Sequence, residues 1–124
     1  MSSNKWITLL VLNIFLVVGC ATPREEMYYW GTYEQLVHDA YVKPGSADPQ
    51  TQIEKINVDL QKSESLGKKT APGIYAHLGF LYAMQGKNSQ SKEALMEEQS
   101  LYPESSTFID GMMTRAKLYE ENQQ

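Results

Sequence analysis

PGIYAHLGFLYAMQGKNSQSKEALMEEQSLYPES, residues 72–105, decides the fold. Pro72 opens a helix whose apolar face is Tyr75, Leu78, Gly79 and Tyr82, and Gly86 stops it. Asn88 is placed to cap a second helix with Ser91, Ala94, Leu95 and Tyr102 turned inward, and Pro103 ends that one. Apolar positions three and four apart are the mark of a helix face, and no run here alternates as a strand would. The small residues Gly79 and Ser91 predict that the two helices cross closely.

Placed in a 34-residue frame with Gly79 at the eighth position, the segment is similar to the tetratricopeptide repeat. Tyr75, Leu78, Gly79, Tyr82, Gly86, Ser91, Leu95 and Pro103 match that repeat's large, small and proline places. Glu98 departs from it where a small apolar residue is preferred, which predicts looser packing at that point. One such unit cannot bury its face alone, so a neighbour is expected on each side. Run back by one period, the frame puts Pro44 where Leu78 should have its counterpart, so the earlier hairpin is not a register-faithful copy.

Outward from this hairpin the punctuation stays helical. Thr32 with Gln35 has capping-box spacing, and Tyr33, Leu36, Val37, Ala40 and Tyr41 form one helix face that ends at Pro44-Gly45. Asp48 caps a second helix with Pro49 in its first turn, where a missing N–H costs nothing. Ile53, Ile56 and Leu60 are its buried stripe, Glu54, Lys55, Asp59, Lys62 and Glu64 its polar face, and Gly67 its closure. Lys68-Lys69-Thr70 reads as a connector. After Pro103, Ser105 or Ser106 starts a last helix with the stripe Phe108, Ile109, Met112, Met113, Ala116 and Tyr119. The expectation is an all-α domain, a five-helix tetratricopeptide-like hairpin array over residues 32–124.

The amino terminus reads as an address. Lys5 precedes thirteen residues, Trp6 to Val18, of which eleven are apolar. This is shorter than the ~20 residues of a membrane span and has the length of a secretory signal core. Val17-Val18-Gly19-Cys20 then resembles a bacterial lipobox, which implies lipidation of Cys20 and cleavage between Gly19 and Cys20. On that reading residues 1–19 are a lipoprotein signal peptide and 20–31 a lipidated tether. A single acyl chain holds weakly at about 0.8 kcal/mol per methylene, and the two or three chains of a mature lipoprotein hold durably. Ala21 stands where an Asp would favour inner-membrane retention, which by the same resemblance implies the periplasmic face of the outer membrane.

Together with the lipobox, Tyr29-Trp30-Gly31-Thr32-Tyr33 and Tyr75-Ala76-His77-Leu78-Gly79 make the chain resemble a family of Gram-negative lipoproteins of unknown function, DUF4810. Members tend to be encoded beside a lipoprotein of the curli secretion-channel type and another small lipoprotein. The resemblance therefore implies an envelope assembly and brings no enzymatic activity with it.

Composition narrows the alternatives. The 124 residues carry a formal charge of −4, and removing residues 1–19, with Lys5 and no acid, leaves the rest more acidic. An acidic surface argues against nucleic-acid binding and against attachment through a basic patch. The single cysteine excludes a disulfide framework and a multi-cysteine zinc site. His38 and His77 lack the spacing that sets two metal ligands on one helix face. Gly67-Lys68-Lys69-Thr70 resembles the end of a phosphate loop, but Lys62 stands where the first glycine belongs and no strand precedes it. No cofactor, metal or catalytic pair is expected.

Two features stay open to a partner. Tyr28, Tyr29, Trp30 and Tyr33 form an aromatic cluster near the anchor, suited either to the membrane interface or to packing the first helix. Ala76, Phe80, Ala83 and Met84 would line the concave side of the hairpin as an apolar strip for a partner's helix or peptide, unless the first or fifth helix covers it. The sequence thus points to a lipid-anchored periplasmic adaptor that binds another envelope protein. The alternative is a pilotin-like chaperone that escorts a channel subunit to the outer membrane.

Overall fold

The computed structural model describes residues 26–43, 45 and 48–121. Among them five α-helices account for nearly all of the regular structure: α1 (Tyr33–Val42), α2 (Pro49–Ser65), α3 (Ile74–Met84), α4 (Asn88–Leu101) and α5 (Ser106–Glu121). Two short strands, β1 (Tyr28–Tyr29) and β2 (Lys69–Thr70), complete it, and a 3-10 turn at Pro103–Ser105 leads into α5. The domain is all-α.

Local chemistry sets most of the boundaries. Asp48 accepts hydrogen bonds from the N–H groups of Gln50 (3.0 Å) and Thr51 (3.1 Å), so α2 begins where its cap and Pro49 stand together. At the other end Gly67 adopts φ +62°, and Lys68 donates its N–H to Ser63 at 3.0 Å. That left-handed closure turns the chain back along the helix. Gly86, at φ +70°, ends α3 in the same way.

Lys68–Thr70 is more than a connector. Lys69 and Thr70 pair in parallel with Tyr28 and Tyr29. The Tyr102 hydroxyl donates to the Thr70 carbonyl, and the Tyr28 ring meets the Tyr102 ring edge-on at 6.2 Å. These contacts need residues from three distant parts of the chain, which is why no local pattern announces them.

The α3–α4 hairpin is the centre of the packing. A β-carbon added at Gly79 would lie 2.7 Å from Leu95 Cγ and 3.1 Å from the Ser91 carbonyl, so the close crossing needs the glycine. One core cluster joins Leu36, Ile53, Ile56, Ala71, Ile74, Leu78, Leu81 and Ala94. A second joins Ala76, Leu95 and Ile109, with Met112 and Met113 against it, and seats α5 on the hairpin. Phe108 and Ala116, expected in the α5 stripe, are exposed, and the Tyr119 side chain lies outside the described residues.

Two acids read as surface or as misfits are buried and hold helix starts. Asp59, on α2, accepts from both the N–H (2.7 Å) and the hydroxyl (2.8 Å) of Thr32, the residue that precedes α1. Thr32 therefore makes no capping box with Gln35, whose amide donates to Asp39 instead. Glu98, on α4, accepts from the N–H groups of Gly73 (2.7 Å) and Ala76 (3.3 Å) at the start of α3. Packing at Glu98 is tight, with 2% of the residue exposed. Both arrangements require antiparallel helices, since a late residue of the second meets the start of the first.

The internal repeat emerges from this geometry. Tyr33 and Leu36 recur 42 positions later as Tyr75 and Leu78, whereas Gln52, Ile56 and Asp59 recur 39 positions later as Ser91, Leu95 and Glu98. All but the two tyrosines are buried. A 34-residue frame misses the relation because α2 has 17 residues against 14 in α4, and the β2 connector follows it. Asn88 is the first residue of α4 rather than its cap, and no side chain caps that helix.

Candidate functional site

The first helix of each hairpin contributes one wall of an open groove of about 520 Å³. Val37, Ala40 and Tyr41 stand on the α1 wall, and His77, Phe80 and Met84 on the α3 wall. Tyr33, Leu81 and the first turn of α2, with Pro49 and Gln52, complete the lining. The α1 face is wider than its contact with the core. Leu36 is buried and Val37 half-buried, but Ala40 is exposed and Tyr41 is 84% exposed. The outer part of a face that periodicity assigns to the core is thus left to the groove.

On α3, Phe80 is 50% exposed and Met84, one turn on, 59%. They form the apolar strip expected from the sequence, and α1 stands beside it without covering it. Two members of the expected strip belong elsewhere. Ala76 is 7% exposed and packs with Leu95 and Ile109 beneath α5, and Ala83 is not part of the lining. Facing positions on a helix are set by which neighbour arrives, and α5 arrives on the Ala76 side.

The polar groups of the floor carry no formal charge at neutral pH. Burial lowers the pKa of His77, and burial followed by the charge of Glu98 raises that of Tyr33. Their rings meet edge-on at 5.6 Å, and His77 Nδ1 is buried with no hydrogen-bond partner among the described residues. Trp30 lies against Tyr33 at 6.4 Å, still 37% exposed, and Tyr28 and Tyr29 are half-buried in the β1–β2 pair. The arrangement can bury apolar surface and offers one unsatisfied ring nitrogen. It contains no hydrogen-bonded acid and base, because His77 and Tyr33 touch through ring edges.

The remaining motif positions fall as follows. Leu78, Gly79, Ser91 and Leu95 are buried at the hairpin crossing, Tyr75 and Tyr82 are half-buried, and Pro103 opens the 3-10 turn. Gly19 and Cys20 lie outside the described residues. Among the described residues no three of His, Cys, Asp or Glu converge as a metal would need, and no helix is long and apolar enough to cross a membrane. The sequence did not single out Tyr33, Val37, Ala40, Tyr41, Pro49 or Gln52 as lining. Its available signal was an α1 face too broad for a ten-residue helix at the end of an array.

Comparison with known proteins gives one match. The family described as a domain of unknown function, DUF4810, matches residues 27–112, from β1 into α5. No curated protein and no solved structure matches.

Proposed function

The chain belongs to the DUF4810 family, and from that premise we propose that it is a lipid-anchored adaptor of the cell envelope. Its groove binds an apolar segment of another envelope protein, and Cys20 tethers it to the periplasmic face of the outer membrane. The observation that carries the reading is the pairing of Phe80 and Met84 with Tyr41 across an open groove, three large apolar side chains left to solvent. Single exposed apolar residues are ordinary, but a contiguous set lining a concavity marks a binding surface.

A partner helix with apolar residues at three- and four-residue spacing would match the wall formed by Phe80 and Met84. Methionine suits such a surface because its unbranched side chain adapts to the shape it meets. The tetratricopeptide resemblance of the α3–α4 hairpin supports the same side of the molecule, since the first helix of each such hairpin lines the concave face. The uncharged floor favours burial of apolar groups over ion pairing, which supports a binding role.

A photocrosslinking residue placed at Tyr41 in the membrane-bound protein tests this. It should capture an envelope protein, and capture should fall when Phe80→Asp and Met84→Asp are introduced together. Undiminished capture by that variant would remove the groove from the proposal. Deleting the protein should leave its partner in the right membrane but incompletely assembled; a mislocalised partner would favour the chaperone reading.

A further inference from the structure

His77, Phe80 and Met84 stand at i, i+3 and i+7 on α3, a single stripe about 10 Å long that lines the α1–α3 groove. Phe80 and Met84 are exposed, and His77, at the start of the stripe, is half-buried. A neutral imidazole donates from one ring nitrogen and accepts at the other. Nδ1 of His77 is enclosed and has no hydrogen-bond partner among the described residues. Nε2 is the nitrogen left accessible, and it makes no hydrogen bond with a described residue either. An orphaned buried N–H is rarer in folded proteins than an under-used acceptor, so the proton belongs on Nε2. The apolar groove then carries a hydrogen-bond donor at one end.

The surroundings narrow what that donor can meet. A cation has no lone pair to offer it. A carboxylate would enter a lining without lysine or arginine, where the charge felt by the Tyr33 hydroxyl is the negative one of Glu98. A neutral carbonyl oxygen fits both conditions. Inside a helix the main-chain carbonyls are already used, but the last four have no partner within the helix. A helix that ends over His77 therefore supplies the acceptor and still lays its earlier turns on Phe80 and Met84.

We infer that the occupant of the groove is an apolar partner helix that runs antiparallel to α3 and ends over His77, where a main-chain carbonyl of its last turn accepts from Nε2–H. The inference rests on the groove being the binding surface, and it adds the direction of the partner and the residue that sets it. Tyr33 meets His77 at one end of the groove, and Tyr41 and Met84, two turns further along α1 and α3, stand at the other.

Three measurements test it. In the isotope-labelled full chain in detergent micelles at pH 7.5, nitrogen–proton correlation of the His77 ring should place the proton on Nε2; a proton on Nδ1, turned to the Tyr33 ring, would overturn the inference. Photocrosslinking residues placed separately at Tyr41 and at Trp30, which lies against Tyr33, should map in the captured protein to one helix, with the Tyr41 site about two turns before the Trp30 site. The reverse order would overturn it as well. Capture from Tyr41 should fall about ten-fold in His77→Phe, which keeps a ring and loses the donor, and return in His77→Gln, whose amide N–H reaches the same place. Capture abolished by Phe80→Asp with Met84→Asp but unchanged in His77→Phe would overturn this inference and leave the groove reading standing. No capture, or capture that neither change reduces, would remove both.

Discussion

The Glu98 carboxylate accepts a hydrogen bond from the N–H of Gly73, a residue twenty-five positions earlier, at 2.7 Å. Gly73 has φ +90° and no side chain with which to cap α3, so the opposite helix supplies the cap. A negative charge there satisfies orphan N–H groups and meets the positive end of the helix dipole. Glu98→Ala should lower stability by about 2–3 kcal/mol, because it leaves buried donors unpaired, and Glu98→Gln by about 1 kcal/mol. Urea unfolding of the two variants checks this, and equal midpoints for Ala and wild type would contradict it.

Asp59 and Thr32 do the same work for α1. Gly31, at φ +52°, lets the backbone come so close that a β-carbon there would overlap the Asp59 carboxylate. Asp59→Asn should cost about 1–2 kcal/mol and act locally. Amide hydrogen exchange should accelerate in residues 33–42 while α3 and α4 stay protected. Uniform acceleration would mean that α1 is not held separately.

Gly79 and Gly111 are both inside helices, and alanine should act oppositely at the two. At Gly79 a β-carbon meets Leu95 Cγ at 2.7 Å, and overpacking of that kind costs about 1–3 kcal/mol. At Gly111 such a carbon would meet the flexible Arg115 guanidinium at an ordinary 3.7 Å, and the gain in helix propensity is about 0.5–1 kcal/mol. Thermal unfolding should move down for Gly79→Ala and up for Gly111→Ala. Combining Gly79→Ala with Leu95→Ala should cost less than the two added, since they share one contact.

His77 makes stability depend on pH below neutrality. Burial depresses its folded-state pKa below the ordinary 6.5, so between those two values the unfolded chain binds a proton that the folded chain does not. Stability should be full above pH 6.5 and fall as pH drops from there through the folded pKa. His77→Phe should remove the fall between neutrality and about pH 5.5, before the carboxylates titrate. Urea midpoints at both pH values decide it, and an unchanged slope in the variant would assign the dependence elsewhere.

The proposed anchor has its own test. Cys20→Ser should move the protein from the membrane to the soluble periplasmic fraction, because the acyl chains would be gone. Retention with the membranes would count against lipid attachment.

Helix boundaries were largely legible in the sequence because their causes are local. Asp48-Pro49, Gly67, Gly86 and Pro103 act on their own backbone, and the close crossing at Gly79 follows from a glycine facing small and apolar neighbours. The groove was half legible. Phe80 and Met84 are exposed, an outcome the sequence left open, whereas α5 takes Ala76 into the core, and α1 supplies the opposite wall with residues that periodicity marks as buried.

The sequence by itself determined an all-α chain of five helices and where the first four stop. Only the tertiary structure decided the roles of Asp59 and Glu98, the parallel pairing of Tyr28–Tyr29 with Lys69–Thr70, and the groove. The physical reason is that periodicity reports how polar a side chain is, not what it meets. A carboxylate looks like a solvated face until a helix start from twenty-five residues away is brought against it.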